Sequence, residues 1–143
     1  MKLLITILST IFISCCFSQD NIVEKETLIK WNLNTKWVEK IQKPNSEEEV
    51  FLINFTDCMN IQDNVHRSLT VKDIETFVKL MDSNLNEDIE IGDKKHFTFE
   101  DYECVLRHNE YKKLVIDIEH PNLENFIFRI SEKDLMYISK ILG

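Results

Sequence analysis

From Phe97 onward the chain settles into a period of two. Leu114, Ile116 and Ile118 alternate strictly with other residues, His120-Pro121-Asn122 interrupts the run, and Phe126, Phe128 and Ile130 resume it. Successive side chains of a strand point to opposite faces, so apolar residues at every second position mark a strand with one buried face. Ahead of these runs Phe97 and Phe99 share one parity and Tyr102, Cys104 and Leu106 the other, which places a β-bulge or a break near Glu100 and Asp101. A turn is expected near His108 to Tyr111. Short turns between three alternating runs read as an antiparallel meander.

The first half reads in the same terms. Thr27, Ile29, Trp31 and Leu33 form the inward set of a half-buried strand, Asn34 and Thr35 turn the chain, and Trp37 to Ile41 run back. Lys43-Pro44-Asn45-Ser46 has turn chemistry, and Val50 to Phe55, apolar on both faces for most of its length, suits an interior strand. Residues 57–68 are polar and irregular. Thr70 with Asp73 resembles a capping box, with Asp in place of Glu, and Val71, Ile74, Phe77, Val78 and Met81 follow at helical spacing. Asp82 to Glu90 breaks that spacing, Ile89 to Ile91 reads as a short strand, and Gly92-Asp93 as a turn. At the other end Ser131 with Asp134 repeats the capping pattern ahead of the stripe Leu135, Ile138, Ile141 and Leu142. The predicted order is three strands, a helix, a short strand, three strands and a helix. This is an α+β fold, a mostly antiparallel meander with two amphipathic helices. Each half ends as a strand followed by a capped helix. Val50 to Met81 and Phe126 to Leu142 differ in length and share no residue pattern, so no repeat is inferred.

The opening MKLLITILSTIFISCCFSQD has one cation, Lys2, then an apolar stretch, then small residues, the three regions of a secretory signal. The uncharged run Leu3 to Phe17 is 15 residues, short of the ~20 that span a bilayer. Residues 1–18 are therefore expected to be a leader and residues 19–143 a single exported domain. Two processing signals overlap. Cys16, Phe17 and Ser18 resemble an ordinary cleavage site before Gln19. Ile13-Ser14-Cys15-Cys16 resembles a degenerate bacterial lipobox, which would place a lipid on Cys15 or Cys16. A lipid of that kind is the expected link to a membrane.

Composition narrows the chemistry. Without Lys2, the remaining basic residues of the original 17 face 25 acidic ones, a net charge of −9. That sign repels phosphate backbones and anionic lipid, so nucleic acid is not expected as a partner. Gly92 and Gly143 are the only glycines, so there is no phosphate-cradling loop, dinucleotide fingerprint or G-x-S-x-G elbow. No cofactor is implied. Cys58 and Cys104 alone remain after the leader, and in an oxidising compartment they read as a disulfide, the alternative being two buried thiols.

Two catalytic or metal readings compete. A hairpin turning near residues 109–111 would gather His96, His120 and Glu100 into a zinc or acid/base set for a small hydrolase. Asp82 to Asp93 carries oxygen donors at several positions of an EF-hand-like loop, but Glu87 stands where the sharp turn wants Gly and Asp93 replaces the bidentate Glu. Trp31 and Trp37 lie among Lys30, Lys36, Lys40 and Lys43, the one basic aromatic stretch. Trp31 falls in the inward set of its strand. Trp37, with Lys36 and Lys40, is the candidate contact surface, since an exposed Trp offers a large rigid face. Asn54-Phe55-Thr56 matches a glycosylation acceptor but sits inside a predicted buried strand. The favoured reading is a small exported, non-enzymatic binding domain of the cell envelope or secreted space, with a protein as its partner. Size and acidity suggest an inhibitor- or immunity-like protein, by analogy alone.

Overall fold

The computed structural model describes residues 24–56, 66–120 and 127–143. The leader, Cys15, Cys16 and Cys58 lie outside them. Among the described residues, two four-stranded antiparallel sheets and two short helices make up the fold, which is α+β. The first sheet runs β1 (Glu24–Trp31), β2 (Lys36–Gln42), β3 (Glu49–Thr56) and β4 (His66–Val71), in that spatial order, followed by α1 (Ile74–Leu85). The second runs β5 (Lys94–Phe99), β6 (Tyr102–His108), β7 (Leu114–Glu119) and β8 (Ile127–Ser131), followed by α2 (Glu132–Ser139). A single 3₁₀ turn, Lys140–Leu142, ends the chain. The architecture is thus one four-strand meander plus helix, made twice. The expected single sheet divides in two.

The halves are not independent. One core takes Val38, Ile53 and Leu69 from the first sheet and Leu106, Ile116 and Ile130 from the second, with Phe77 and Met81 of α1 and Ile138 of α2. Phe77 meets Phe99 edge-on at 5.3 Å, Phe55 meets Phe128, and the Tyr102 hydroxyl donates to the Thr70 carbonyl at 3.0 Å. Each helix crosses to the other half: α1 packs on β7, and α2 touches β1 as well as its own β8. Both helices also pack on each other.

Several expectations shift. The strand expected over Thr27 to Leu33 ends at Trp31, because the ladder slips between Thr27 and Ile29 and the chain turns through Asn32, Leu33 and Asn34. Leu33, expected inward, is 96% exposed at the hairpin tip. His66–Val71, read within or beside a polar irregular segment, is an edge strand in which Leu69 and Val71 are buried. Its ladder uses Thr70, opposite Leu52, so the helix cap falls to Asp73, which accepts from Thr76 N at 3.0 Å. The helix then runs past Met81 to Leu85, with Asn84 also buried. Ile89 to Ile91 is not a strand but leads into the turn at Gly92. The parity slip at Glu100 and Asp101 is the tight turn of the β5–β6 hairpin, with Phe99 opposite Tyr102. The Ser131/Asp134 capping box forms with both of its hydrogen bonds.

So little glycine forces other residues into the left-handed region. Asn32, Leu33, Asn34, Asn45, Glu100 and Lys112 all have positive φ, between 48° and 64°. Asn tolerates this best, since its short amide bonds locally, whereas Leu has no such compensation.

A buried carboxylate fixes α2. Asp134 accepts from Trp31 Nε1 at 2.9 Å, Lys36 Nζ at 2.8 Å, Ser131 N at 3.0 Å and Ser131 Oγ at 2.8 Å. Burial pushes its pKa up, but the hydrogen bonds from Lys36, Trp31 and Ser131 outweigh burial and hold it below the usual carboxylate value of 3.8.

Two tests follow from the backbone and the buried acid. Leu33→Gly should raise stability by about 1 kcal/mol, since relief of left-handed strain exceeds the added freedom of the unfolded chain. A higher urea midpoint at unchanged m-value checks it. Asp134→Asn should cost roughly 2–4 kcal/mol at neutral pH. A carboxyl lowered in the folded state stabilises above its unfolded value and loses that contribution as pH falls through the folded one. Wild type should therefore weaken below about pH 4, and stability curves of the Asn variant should be flatter there.

Candidate binding surface

Strand alternation separates the predicted contact residues. Lys36 and Lys40 flank the fully buried Val38 on the core face of β2, while Trp37 stands opposite Lys30 and Asn54 on the other face. Lys36 is committed to Asp134 and lies 4.8 Å from the Phe55 ring centroid. Lys40 pairs with Glu49 at 2.9 Å, which raises its pKa, chiefly through that hydrogen bond. Trp37 is half-buried, and Trp31 is 4% exposed, as its strand parity implied. The structure thus does not bring the three together as one patch.

Around Trp37 the outer face of the first sheet carries half-buried Ile41, Val50 and Leu52, and a polar run across three strands. Ser68 Oγ donates to Asn54 Oδ1 at 2.5 Å, and Asn54 Nδ2 donates to Glu39 at 3.2 Å. Asn54 is 3% exposed, so the acceptor amide of Asn54-Phe55-Thr56 is occupied within the sheet. The second sheet has a charged counterpart. On its outer face Asp117, 7% exposed, accepts from Arg107 Nε at 2.6 Å and Arg129 Nε at 2.8 Å.

The proposed histidine set does not assemble. His96 stands opposite Val105 on the outer face of the second sheet, whereas His120 meets the buried Tyr102 ring at 5.9 Å. Glu100 is used elsewhere, accepting from Lys72 N at 3.0 Å. In the segment read as EF-hand-like, Asp82 lies within α1, Glu87 pairs with Lys95, and Gly92 makes a turn. No group of three or more His, Cys, Asp or Glu side chains among the described residues is arranged to hold a metal ion.

A trough on the helical side was not anticipated. Between α1 and α2 lies a groove of about 730 Å³ whose apolar wall is Val78, Leu85, Leu135 and Met136. Met136 is 50% exposed, outside the core stripe of Leu135 and Ile138. A second hollow of about 620 Å³, lined by His108, Lys112, Lys113 and Lys133, adjoins it. Leu85, Glu132 and Lys133 line both, so the two form one continuous depression. The doublet Lys112-Lys113 and the lone Met136 were visible in the sequence. Nothing there placed α1 beside α2.

Cys104 is a buried free thiol, 1% exposed, and burial pushes its pKa to about 12. Its expected partner Cys58 lies outside the described residues. A thiol reagent should label Cys104 only after unfolding, with mass spectrometry locating the adduct. A bond to Cys58 would instead block labelling even in denaturant until a reductant is added. No family model matches the chain, and neither the curated proteins nor the solved structures contain a match.

Proposed function

We propose that the chain is a small exported domain of the cell envelope or secreted space that works by binding a protein partner rather than by catalysis. The supporting observation is the trough between the two helices. Its apolar wall is open at Met136 and half-buried Leu85, above the buried Val78 and Leu135, and Met136 is the kind of flexible, polarisable side chain that repacks against varied contacts. A helix pair with a groove between its members receives an extended or helical segment more readily than a flat sheet face does. The leader over residues 1–18 supports export, with Gln19 as the first residue, or a lipid on Cys15 or Cys16 as the anchor. An inhibitor- or immunity-like role is one form of this reading.

The test is a photo-crosslinking residue placed at Met136 and, as a control, at His96 on the outer face of the second sheet, both in the natively processed protein. The expected result is one discrete protein adduct from position 136 and none from 96. The reading falls if 96 yields the same adduct or 136 yields none. Intact mass should show a chain beginning at Gln19 or an acylated cysteine. Recovery with Met1 retained would overturn export.

A further inference from the structure

We infer that the basic end of the trough selects an acidic, apolar-flanked segment of the partner protein, an inference that rests on the binding role proposed above. Lys112 and Lys113 come from the β6–β7 hairpin and Lys133 from the first turn of α2, so elements distant in sequence converge on one hollow. Lys36, Lys40, Lys43, Lys79 and Lys95 each meet a carboxylate. Lys112, Lys113 and Lys133 have no such side-chain partner among the described residues. Other surface lysines are also unpaired, but these three share a cavity with an unsatisfied polar atom. His108 lines the hollow, and its Nδ1 is buried with no hydrogen-bond partner among the described residues. Buried polar atoms in folded proteins are nearly always satisfied, so this nitrogen is a polar group that the described residues leave unpaired at the hollow's wall; closed to solvent as it is, it meets a ligand only if the ring turns.

The hairpin holds its lysines in a defined place. Asn109 Oδ1 accepts from Tyr111 N at 2.9 Å and Lys113 N at 3.0 Å, and Asn109 N donates to the Lys113 carbonyl at 2.8 Å. Glu132 is the carboxylate lining this hollow and offsets one of the three cations, while Asp82 and Lys79 line the adjoining groove. The remaining positive charge suits two or so carboxylates. A long polyanion is disfavoured, because the chain as a whole carries a net charge of −8 and repels whatever extends beyond the hollow. The adjoining apolar groove requires that the acidic residues have apolar neighbours. A short acidic and apolar peptide segment meets all of these demands.

The experiment is selection of a displayed random peptide library against the natively processed protein, followed by synthesis of the enriched peptides. Enriched sequences should carry Asp or Glu beside Leu, Ile or Phe. Replacing their acids with amides should weaken binding about tenfold or more. Lys112→Glu/Lys113→Glu, exposed positions that should melt like wild type, should weaken it similarly, and so should raising the salt from about 0.05 to 0.5 M. Enriched peptides that are neutral, and sensitive to Met136→Glu but not to the lysine reversals, would overturn the acidic preference while leaving the binding role intact. Binding insensitive to both variants would place the site elsewhere and overturn the inference. No enrichment at all would remove the binding role together with it.

Discussion

The carboxylate of Asp134 holds the two halves in register. It is the N3 residue of α2's own capping box, yet its other oxygen is claimed by Trp31 at the end of β1 and Lys36 at the start of β2. Trp31 also stacks on Tyr137 of α2 at 5.8 Å and 9°. A helix of eight residues has little stability of its own. What keeps α2 at this angle is the set of bonds it makes to the opposite sheet. A buried ion pair is often no more stabilising than a well-packed apolar pair, because desolvation takes back much of the Coulomb attraction. Its contribution here is positional: an apolar replacement would tolerate rotation of α2, whereas the two directed donors of the first sheet, Trp31 Nε1 and Lys36 Nζ, do not. Because α2 forms one wall of the trough, the same carboxylate sets the trough's width.

The doubled architecture has a common logic in the third strand of each sheet. β3 and β7 are interior strands, and each carries one buried polar residue on the face turned from the core, Asn54 and Asp117. Each is held by residues of the strands on either side, Glu39 and Ser68 in one case and Arg107 and Arg129 in the other. An interior strand with a polar centre on its outer face cannot slip by one residue without burying that group against the core, so both ladders have a defined register. The halves share topology and this device, not residues, which is why no repeat was visible in the letters. Exchange of the helices between halves then makes the two sheets one cooperative unit.

Legibility followed the locality of each signal. The strand over Leu114, Ile116 and Ile118, the inward Trp31 and the Ser131/Asp134 box depend on neighbours within a few positions and appear as read, except that β7 is buried on its second face too, at Val115 and Asp117. β4 did not, because an edge strand with Leu69 and Val71 as its buried residues carries too short a pattern to stand out from polar surroundings. The Thr70 cap failed for a related reason: Thr70 also satisfies a strand, and the β3 ladder took it before the helix did. The contact patch failed on a rule already available. Lys36 and Trp37 are adjacent, and adjacent residues of a strand face opposite ways. The trough depends on α1 and α2 meeting across the chain, which no local pattern encodes.

The basic hollow is informative because of the body that carries it. At physiological salt, charges act over about 8 Å, so an approaching acidic partner first meets the negative field of the whole domain and is not steered in. Association should then be slow relative to charge-assisted pairs, and discrimination should come at contact. Three lysines confined to one hollow reward carboxylates only where they fit, and the surrounding acidity penalises any partner whose charge spreads further. On the binding role proposed above, a net acidic domain with a small cationic mouth would discriminate against nucleic acids and anionic membranes while still accepting an acidic segment. The overall charge and the local charge oppose each other, and the opposition is what would give a shallow surface site its specificity.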